Sequence, residues 1–142
     1  MGYIGALEAA GAVVLADSHF GSYQGDWLAL VDYKGQRGFV HGSYGSCSGC
    51  DSFEAEFSYS DNGCGEHHYD PQADCEECKA ETDSYNTRLA EFGRKYLEYG
   101  DGEVDLADYD TTLANLSRNI EWDYEAPQMV AWVEGLKDTY NA

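Results

Sequence analysis

Two Cys-x-x-Cys pairs carry the clearest chemistry in this sequence of 142 residues. Cys47 and Cys50 form the first pair, Cys75 and Cys78 form the second, and 24 residues separate the pairs. Each pair can turn its two sulfurs toward one side, so that four thiolates surround one metal ion tetrahedrally. Thiolate ligands in this geometry favour zinc, and a site with four protein ligands is structural. The spacing therefore predicts a structural zinc site at these four cysteines.

Residues between the two pairs offer a replacement for one ligand. The candidates are Cys64, His67 and His68. They lie within residues 58–73, where Gly, Pro, Asp and Asn predict an irregular loop that a metal ion would close. Acidic residues stand at positions 74, 76 and 77 beside the second pair, and such neighbours disfavour a free thiolate unless a cation compensates them.

Other roles for the cysteines stay open at this point. They could be small buried side chains or free thiols rather than ligands. A Cys-x-x-Cys pair at the start of a helix could also have a lowered thiol pKa and take part in redox chemistry. A thioredoxin-like enzyme needs a βαβ setting, however, and the sequence does not have that pattern. A weaker alternative is a metal-dependent or thiol enzyme that uses Cys64, His67 and His68.

No known catalytic motif accompanies the cysteines. The sequence contains no phosphate-binding Walker loop, no GxSxG and no HExxH. Asp101, Glu103 and Asp105 match the first three acidic positions of an EF-hand calcium loop. Leu106 stands where that loop requires glycine, and Thr112 stands where it requires glutamate, so the match fails. We therefore predict that the protein is not an enzyme.

The charge is strongly negative and unevenly distributed. Asp and Glu number 27 against 8 Lys and Arg, which gives a formal net charge of −19. Residues 51–83 contain eleven acids and one base, and residues 96–125 contain nine acids and one base. Residues 1–50, with four acids and two bases, are nearly neutral. Such a chain repels nucleic acid and anionic membranes, and it is steered toward basic surfaces.

The acids of residues 96–125 could imitate a nucleic acid duplex. A helix predicted from about residue 103 brings Asp101, Asp105 and Asp108 to i, i+4 and i+7 positions, which lie on one helix face. Aligned carboxylates then approximate DNA, which carries one charge per about 1.7 Å of its axis. We predict an inhibitor that blocks the basic groove of a nucleic-acid-binding protein. The alternative is a zinc-stabilised adaptor domain whose acids serve only solubility. The predicted contact residues are Asp101, Glu103, Asp105, Asp108, Asp110, Glu76, Glu77 and Glu81.

The elements that position these residues belong to an α+β fold. Residues 3–11 predict a short helix, and apolar runs at 13–16, 27–33 and 39–42 predict strands. Glycine-bearing turns connect the strands, so the economical topology is an antiparallel meander. Another helix is predicted to begin within residues 52–57.

Three further helices are predicted to cover the sheet. Apolar residues recur at helical spacing from Tyr85 to Tyr99, from Leu106 to Ile120, and from near Pro127 to Tyr140. We predict one domain, which consists of a β-meander, a Cys-rich acidic segment and a helical part. These parts comprise residues 1–50, 51–83 and 84–142.

The sequences GSYQGDW at residues 21–27 and GSCSGCD at residues 45–51 resemble a pattern in small accessory proteins of bacteriophages. The resemblance covers residues 17–57 and assigns no functional residue. It implies a context in which small acidic proteins inhibit host nucleases or polymerases, and we expect the blocked groove to belong to a host defence or transcription protein. The sequence has no apolar run of membrane-spanning length, its N-terminus lacks the basic region of a signal peptide, and its cysteine number is odd. We therefore expect a cytoplasmic protein, located in the host cytoplasm if a phage encodes it.

Overall fold

The computed structural model describes residues 2–46, 51–57, 64, 66–67 and 72–142. Within these ranges the chain forms an α+β fold, as predicted, with an antiparallel sheet in its N-terminal half and helices after it. The elements in chain order are α1 (Tyr3–Ala9), β1 (Val13–Gly21), β2 (Gly25–Tyr33), β3 (Gln36–Tyr44), α2 (Ser52–Phe57), α3 (Glu76–Leu97), α4 (Tyr109–Ser117), α5 (Ala126–Glu134) and α6 (Lys137–Asn141).

The described strands form the predicted meander, in the order β1-β2-β3 with β2 at the centre. β1 continues to Gly21, well beyond the predicted end at residue 16. The pairing of β1 with β2 skips a residue between Val14 and Ala16, which is a β-bulge. Because side chains alternate along a strand, this bulge reverses which residues of β1 face each side of the sheet.

Both faces of β2 are buried beneath helices. Trp27, Ala29 and Val31 pack in a cluster with residues of α1 and α3. Leu28 and Leu30 pack on the other face in a cluster with residues of α4 and α5. A strand buried on both faces has a continuous apolar sequence rather than an alternating one, and residues 27–31 have such a sequence. The chain therefore has three layers, with the sheet in the middle.

A buried aspartate connects three elements on the α1 side of the sheet. The Asp51 carboxylate accepts hydrogen bonds from the Tyr3 hydroxyl at 2.7 Å, from the Gly45 N–H at 2.8 Å and from the Glu54 N–H at 3.0 Å. Tyr3 also stacks on Trp27, with 5.2 Å between the ring centroids. Burial and the bond to Asp51 raise the pKa of Tyr3 to about 12. Asp51 thus fixes the start of α2 against α1 and the end of β3.

The predicted helix in this region is present as α4, but its predicted start at about residue 103 is wrong. α4 begins at Tyr109, and Asp108 is its N-cap, whose side chain accepts a hydrogen bond from the Thr111 N–H at 2.7 Å. Before this cap, Val104 pairs with Glu98 in an antiparallel bridge, and residue 107 pairs with residue 39 of β3. Pairing with residues 97–99 and with β3 replaces the helical backbone bonds, so Asp101, Asp105 and Asp108 do not form a helical row.

Two other helix boundaries also differ from the prediction. α3 begins at Glu76, within the segment 51–83 that the sequence separates from the helical part. The helix predicted from near Pro127 to Tyr140 is divided at Gly135, which ends α5 before α6 begins. Among the described residues, no helix combines the length and the apolar composition needed to cross a membrane.

Replacing Gly93 by alanine tests the contact between α1 and α3. A Cβ atom at position 93 would lie 1.9 Å from the carbonyl oxygen of Ala6. The helices would have to separate, so we expect the free energy of unfolding to fall by about 1–3 kcal/mol, as overpacking does. Urea unfolding followed by circular dichroism measures this change. Gly5→Ala in α1 is the control, since its added Cβ meets no atom within 4 Å. Equal stability of the Gly93→Ala and Gly5→Ala proteins would contradict this packing.

Replacing Asp51 by asparagine tests the buried carboxylate. Burial acts to raise the pKa of Asp51, but the hydrogen bonds from Tyr3, Gly45 and Glu54 lower it more, so the pKa lies below its ordinary value. Asparagine would turn one acceptor oxygen into a donor, and we expect a loss of about 1–3 kcal/mol at neutral pH.

The Asp51→Asn variant also tests a prediction about how stability depends on pH. A carboxylate with a lowered folded-state pKa stabilises the fold above its unfolded pKa of about 3.9, and this stabilisation disappears as the pH falls through the folded pKa. The stability difference between wild type and Asp51→Asn should therefore shrink below about pH 4. Urea unfolding at several pH values measures it, with the exposed Asp17→Asn as control. A difference that did not change with pH would refute the role of the charge.

Candidate metal centre

Four potential metal ligands come together where α3 begins. They are Cys64, His67, Cys75 and Cys78, and their ligand atoms all lie within 4.8 Å of one another. Sulfur and imidazole nitrogen are the donors that transition metals with soft or borderline character prefer. The group can therefore hold a metal ion.

Helix α3 positions two of these ligands. Cys75 is its N-cap residue, and its sulfur accepts a hydrogen bond from the Cys78 N–H at 3.5 Å. A turn precedes the helix, in which the Cys75 N–H bonds to the carbonyl oxygen of Gln72 at 3.1 Å. The cap and the first helical turn bring both sulfurs to the same end of α3, as a Cys-x-x-Cys pair at a helix start should.

The distances between donors are short and similar. The Cys64 sulfur lies 3.5 Å from the Cys78 sulfur and 3.8 Å from the Cys75 sulfur. The His67 Nδ1 atom lies 3.2 Å from the Cys64 sulfur and 3.3 Å from the Cys78 sulfur. Each sulfur separation far exceeds the bond length of about 2.05 Å in a disulfide, so these thiols are not joined covalently. The four donor atoms instead lie within 4.8 Å of one another as separate groups.

Burial and hydrogen bonding distinguish the thiols. Cys64 and Cys78 are buried, whereas Cys75 and His67 are partly exposed. Burial acts to raise the pKa of the Cys78 thiol, but backbone hydrogen bonds and the neighbouring thiols lower it below its ordinary value. The Cys78 N–H acts to lower the pKa of Cys75, but burial and hydrogen bonds with the sulfurs of Cys78 and Cys64 raise it. Cys78 is therefore the thiol of this pair that ionises more readily.

Acidic side chains surround the cluster. Glu66, Glu76 and Glu77 are exposed, and they line the same surface depression as Cys64 and Cys75. Carboxylates this close disfavour additional thiolate charge. A bound cation would reverse that effect, because it attracts both the thiolates and the carboxylates.

The structure brings together part of the predicted ligand set and part of its alternates. Cys75 and Cys78 belong to the predicted four, and Cys64 and His67 were the suggested replacements. Cys47, Cys50 and His68 lie outside the described residues.

The sequence contains an indication of this arrangement beyond the paired cysteines. Cys64 and His67 have the same i, i+3 spacing as Cys75 and Cys78, so two similar ligand pairs follow each other closely. A Cys-x-x-His pair supplies a sulfur and a nitrogen as a Cys-x-x-Cys pair supplies two sulfurs. Cys47 and Cys50 match the Cys-x-x-Cys pattern by residue type, but they lie farther from Cys75 in the sequence than Cys64 and His67 do.

The acids predicted to contact a partner are all exposed, but they form two groups. Glu76, Glu77 and Glu81 lie on the first turns of α3. The other five lie in residues 101–110, where some carboxylates serve the local structure. Asp108 caps α4, Asp101 accepts a hydrogen bond from the Glu103 N–H at 3.0 Å, and a bond to Asp105 raises the pKa of Tyr99.

Comparison with known proteins adds no relative to this description: no protein-family model, curated protein or solved structure matches the chain.

Proposed function

We propose that this chain is a non-enzymatic protein stabilised by a structural zinc ion, which Cys64, His67, Cys75 and Cys78 bind. The observation that carries the proposal is the spacing of the four donors. Zinc–sulfur bonds of about 2.3 Å and zinc–nitrogen bonds of about 2.0 Å in a tetrahedron put sulfurs about 3.8 Å apart and sulfur and nitrogen about 3.5 Å apart. Four of the six separations between these donors are 3.2–3.8 Å, close to such edges, and all six are within 4.8 Å.

The number of protein ligands supports a structural role for the ion. Catalytic zinc sites have three protein ligands and leave a position for water or substrate. Here the chain supplies four donors, so a tetrahedral ion has no position left for a reactant. The sequence also lacks the catalytic motifs that a metal-dependent enzyme of a known type would have.

The ion would stabilise a part of the chain with few other sources of stability. Residues 51–83 contain eleven acids, which repel one another, and few of their described residues lie in the apolar clusters. A metal that joins positions 64 and 67 to the start of α3 restrains this segment. Its two positive charges also offset the carboxylates of Glu66, Glu76 and Glu77.

Replacing ligands pairwise tests the proposal and distinguishes the two ligand sets. Protein purified under reducing conditions should contain about one zinc per chain by elemental mass spectrometry, as a single tetrahedral site requires. Cys64→Ser with His67→Gln should lose the zinc, while Cys47→Ser with Cys50→Ser should keep it. Chelation should lower the melting temperature of the wild type, because metal binding contributes to folding.

Two results would contradict this ligand set. Wild-type protein free of zinc and other transition metals would overturn the metal site itself. Loss of zinc from the Cys47–Cys50 double variant, with retention in the Cys64–His67 double variant, would support the four cysteines instead.

We also propose a binding role for the acidic surface, since its charge distribution favours a specific direction of approach. The predicted inhibitor of a basic nucleic-acid-binding protein is one form of this role. Its support is the net charge of −19, with most acids outside the nearly neutral residues 1–50. The helical row of carboxylates is absent, so the proposal rests on the field of the surface rather than on a duplex-like geometry. Such a field raises association rates with basic partners.

Charge reversals at matched net charge test this role. Glu81→Lys with Glu103→Lys places two reversals in the acidic blocks, and Glu8→Lys with Asp17→Lys places two on the N-terminal part; all four positions are exposed. Isothermal titration with a purified histone mixture as the basic probe should give weaker binding for the first pair, by roughly tenfold at low salt.

The salt dependence provides the control for this titration. Wild-type binding should weaken between about 50 and about 300 mM salt, because screening shortens the range of surface charges. Duplex DNA should compete for the probe. Equal effects of the two charge-reversal pairs would show that only the net charge matters and would refute a directional surface.

A further inference from the structure

The turn between α4 and α5 presents large apolar side chains to solvent. Trp122 is 86% exposed, Tyr124 is 87% exposed and Ile120 is 46% exposed. The sequence assigns Ile120 to the buried stripe of a helix, but α4 ends at Ser117, so this residue lies in the turn. Neighbouring exposed apolar side chains of this size are unusual on a soluble surface and mark interaction sites.

Backbone hydrogen bonds hold this turn in a defined shape. The N–H groups of Trp122 and Asp123 bond to the carbonyl oxygen of Asn119 at 3.0 and 2.7 Å. The Asp123 carboxylate accepts the Glu125 N–H at 3.0 Å, and its carbonyl oxygen accepts the Ala126 N–H at 3.1 Å. A surface that is already ordered loses little conformational entropy when it binds.

Acids alternate with the apolar residues of the turn. Glu121, Asp123 and Glu125 stand between and beside Trp122 and Tyr124 in the sequence. Tryptophan and tyrosine dominate the binding energy of many protein interfaces, where charged residues form the rim. The turn thus combines two aromatic anchors with a negative rim.

We propose that this turn is the docking surface for a basic protein, which receives Trp122 and Tyr124 in an apolar pocket rimmed by lysine or arginine. This inference rests on the binding role proposed for the acidic surface, and it identifies the turn as the place where the basic partner makes contact. Charge complementarity favours a basic protein as the partner at this surface. A second copy of the chain carries the same net charge of −19, and nucleic acid and anionic lipid carry negative charge as well, so each is repelled.

A displayed library of random peptides is the probe for the test. Peptides selected on the full-length wild-type protein should combine lysine or arginine with apolar residues. Their affinity should fall roughly tenfold or more for Trp122→Ser with Tyr124→Ser, as expected for truncated anchors. Tyr23→Ser is the matched control, since Tyr23 is 81% exposed in the β1–β2 turn. Melting temperatures of all variants should equal that of the wild type.

Tryptophan fluorescence provides a second readout. Of the three tryptophans, Trp27 is only 1% exposed and Trp132 is half-buried, so acrylamide quenches Trp122 most readily. A bound peptide should protect the wild type from quenching and shift its emission to the blue. The double variant, which lacks Trp122, should show neither change.

Each of the following outcomes would contradict the proposed docking surface. If no peptide is enriched, or if the enriched peptides lack cationic residues, the proposed occupant is wrong. Peptides that bind the double variant as tightly as the wild type, but bind the Glu81→Lys, Glu103→Lys protein weakly, leave the binding role intact and exclude this turn. Sedimentation velocity that shows self-association of the wild type, and none of the Trp122–Tyr124 variant, makes a second copy the occupant.

Discussion

The burial of strand β2 on both faces is the constraint on which the other elements depend. Residues 28–31 have no exposed surface, and each face requires its own layer of helices. α1 and α3 supply one layer, and α4 and α5 supply the other. Among the described residues, the buried carboxylate is that of Asp51, which three hydrogen-bond donors satisfy. The Glu98 side chain is only 8% exposed but is paired with Lys34 and Tyr33, and the other described acids remain at least partly exposed, so the core forms without burying unpaired charges.

This arrangement explains why the acid-rich segment needs a different source of stability. The sheet and its helical layers use the apolar residues of the nearly neutral N-terminal part and of the helices. Residues 51–83 combine a high density of acids with few core contacts, and in this segment the sulfur and nitrogen donors converge. The cation proposed there would lower the repulsion between carboxylates and would join segments that apolar packing does not hold. The proposed zinc and the excess of acids thus have one physical explanation.

The sequence was sufficient to predict the meander, because glycine-bearing turns separate its apolar runs, and to predict most helices from their spacing. The sequence was not sufficient where backbone pairing with another segment competes with a local helical pattern. Residues 101–108 fit a helical spacing, yet Val104 and Ala107 pair with Glu98 and Phe39 and form extended backbone. The end of β1 was missed because the bulge near Leu15 interrupts the alternation that identifies a strand. Of the candidate site, Cys75 and Cys78 follow from spacing, whereas their proximity to Cys64 and His67 is a tertiary fact.

The layered architecture separates the two proposed sites. The donor cluster includes Cys78, which lies in α3, and helix α3 packs on the α1 side of the sheet. The aromatic turn joins α4 to α5, whose buried residues Leu116 and Met129 pack on the opposite face. Because β2 lies between these layers and contributes different side chains to each, the two proposed sites lie in different layers of the fold. The proposed ion would therefore stabilise the layer that contains α3, whereas the proposed docking surface belongs to the other layer, where its own backbone hydrogen bonds hold it.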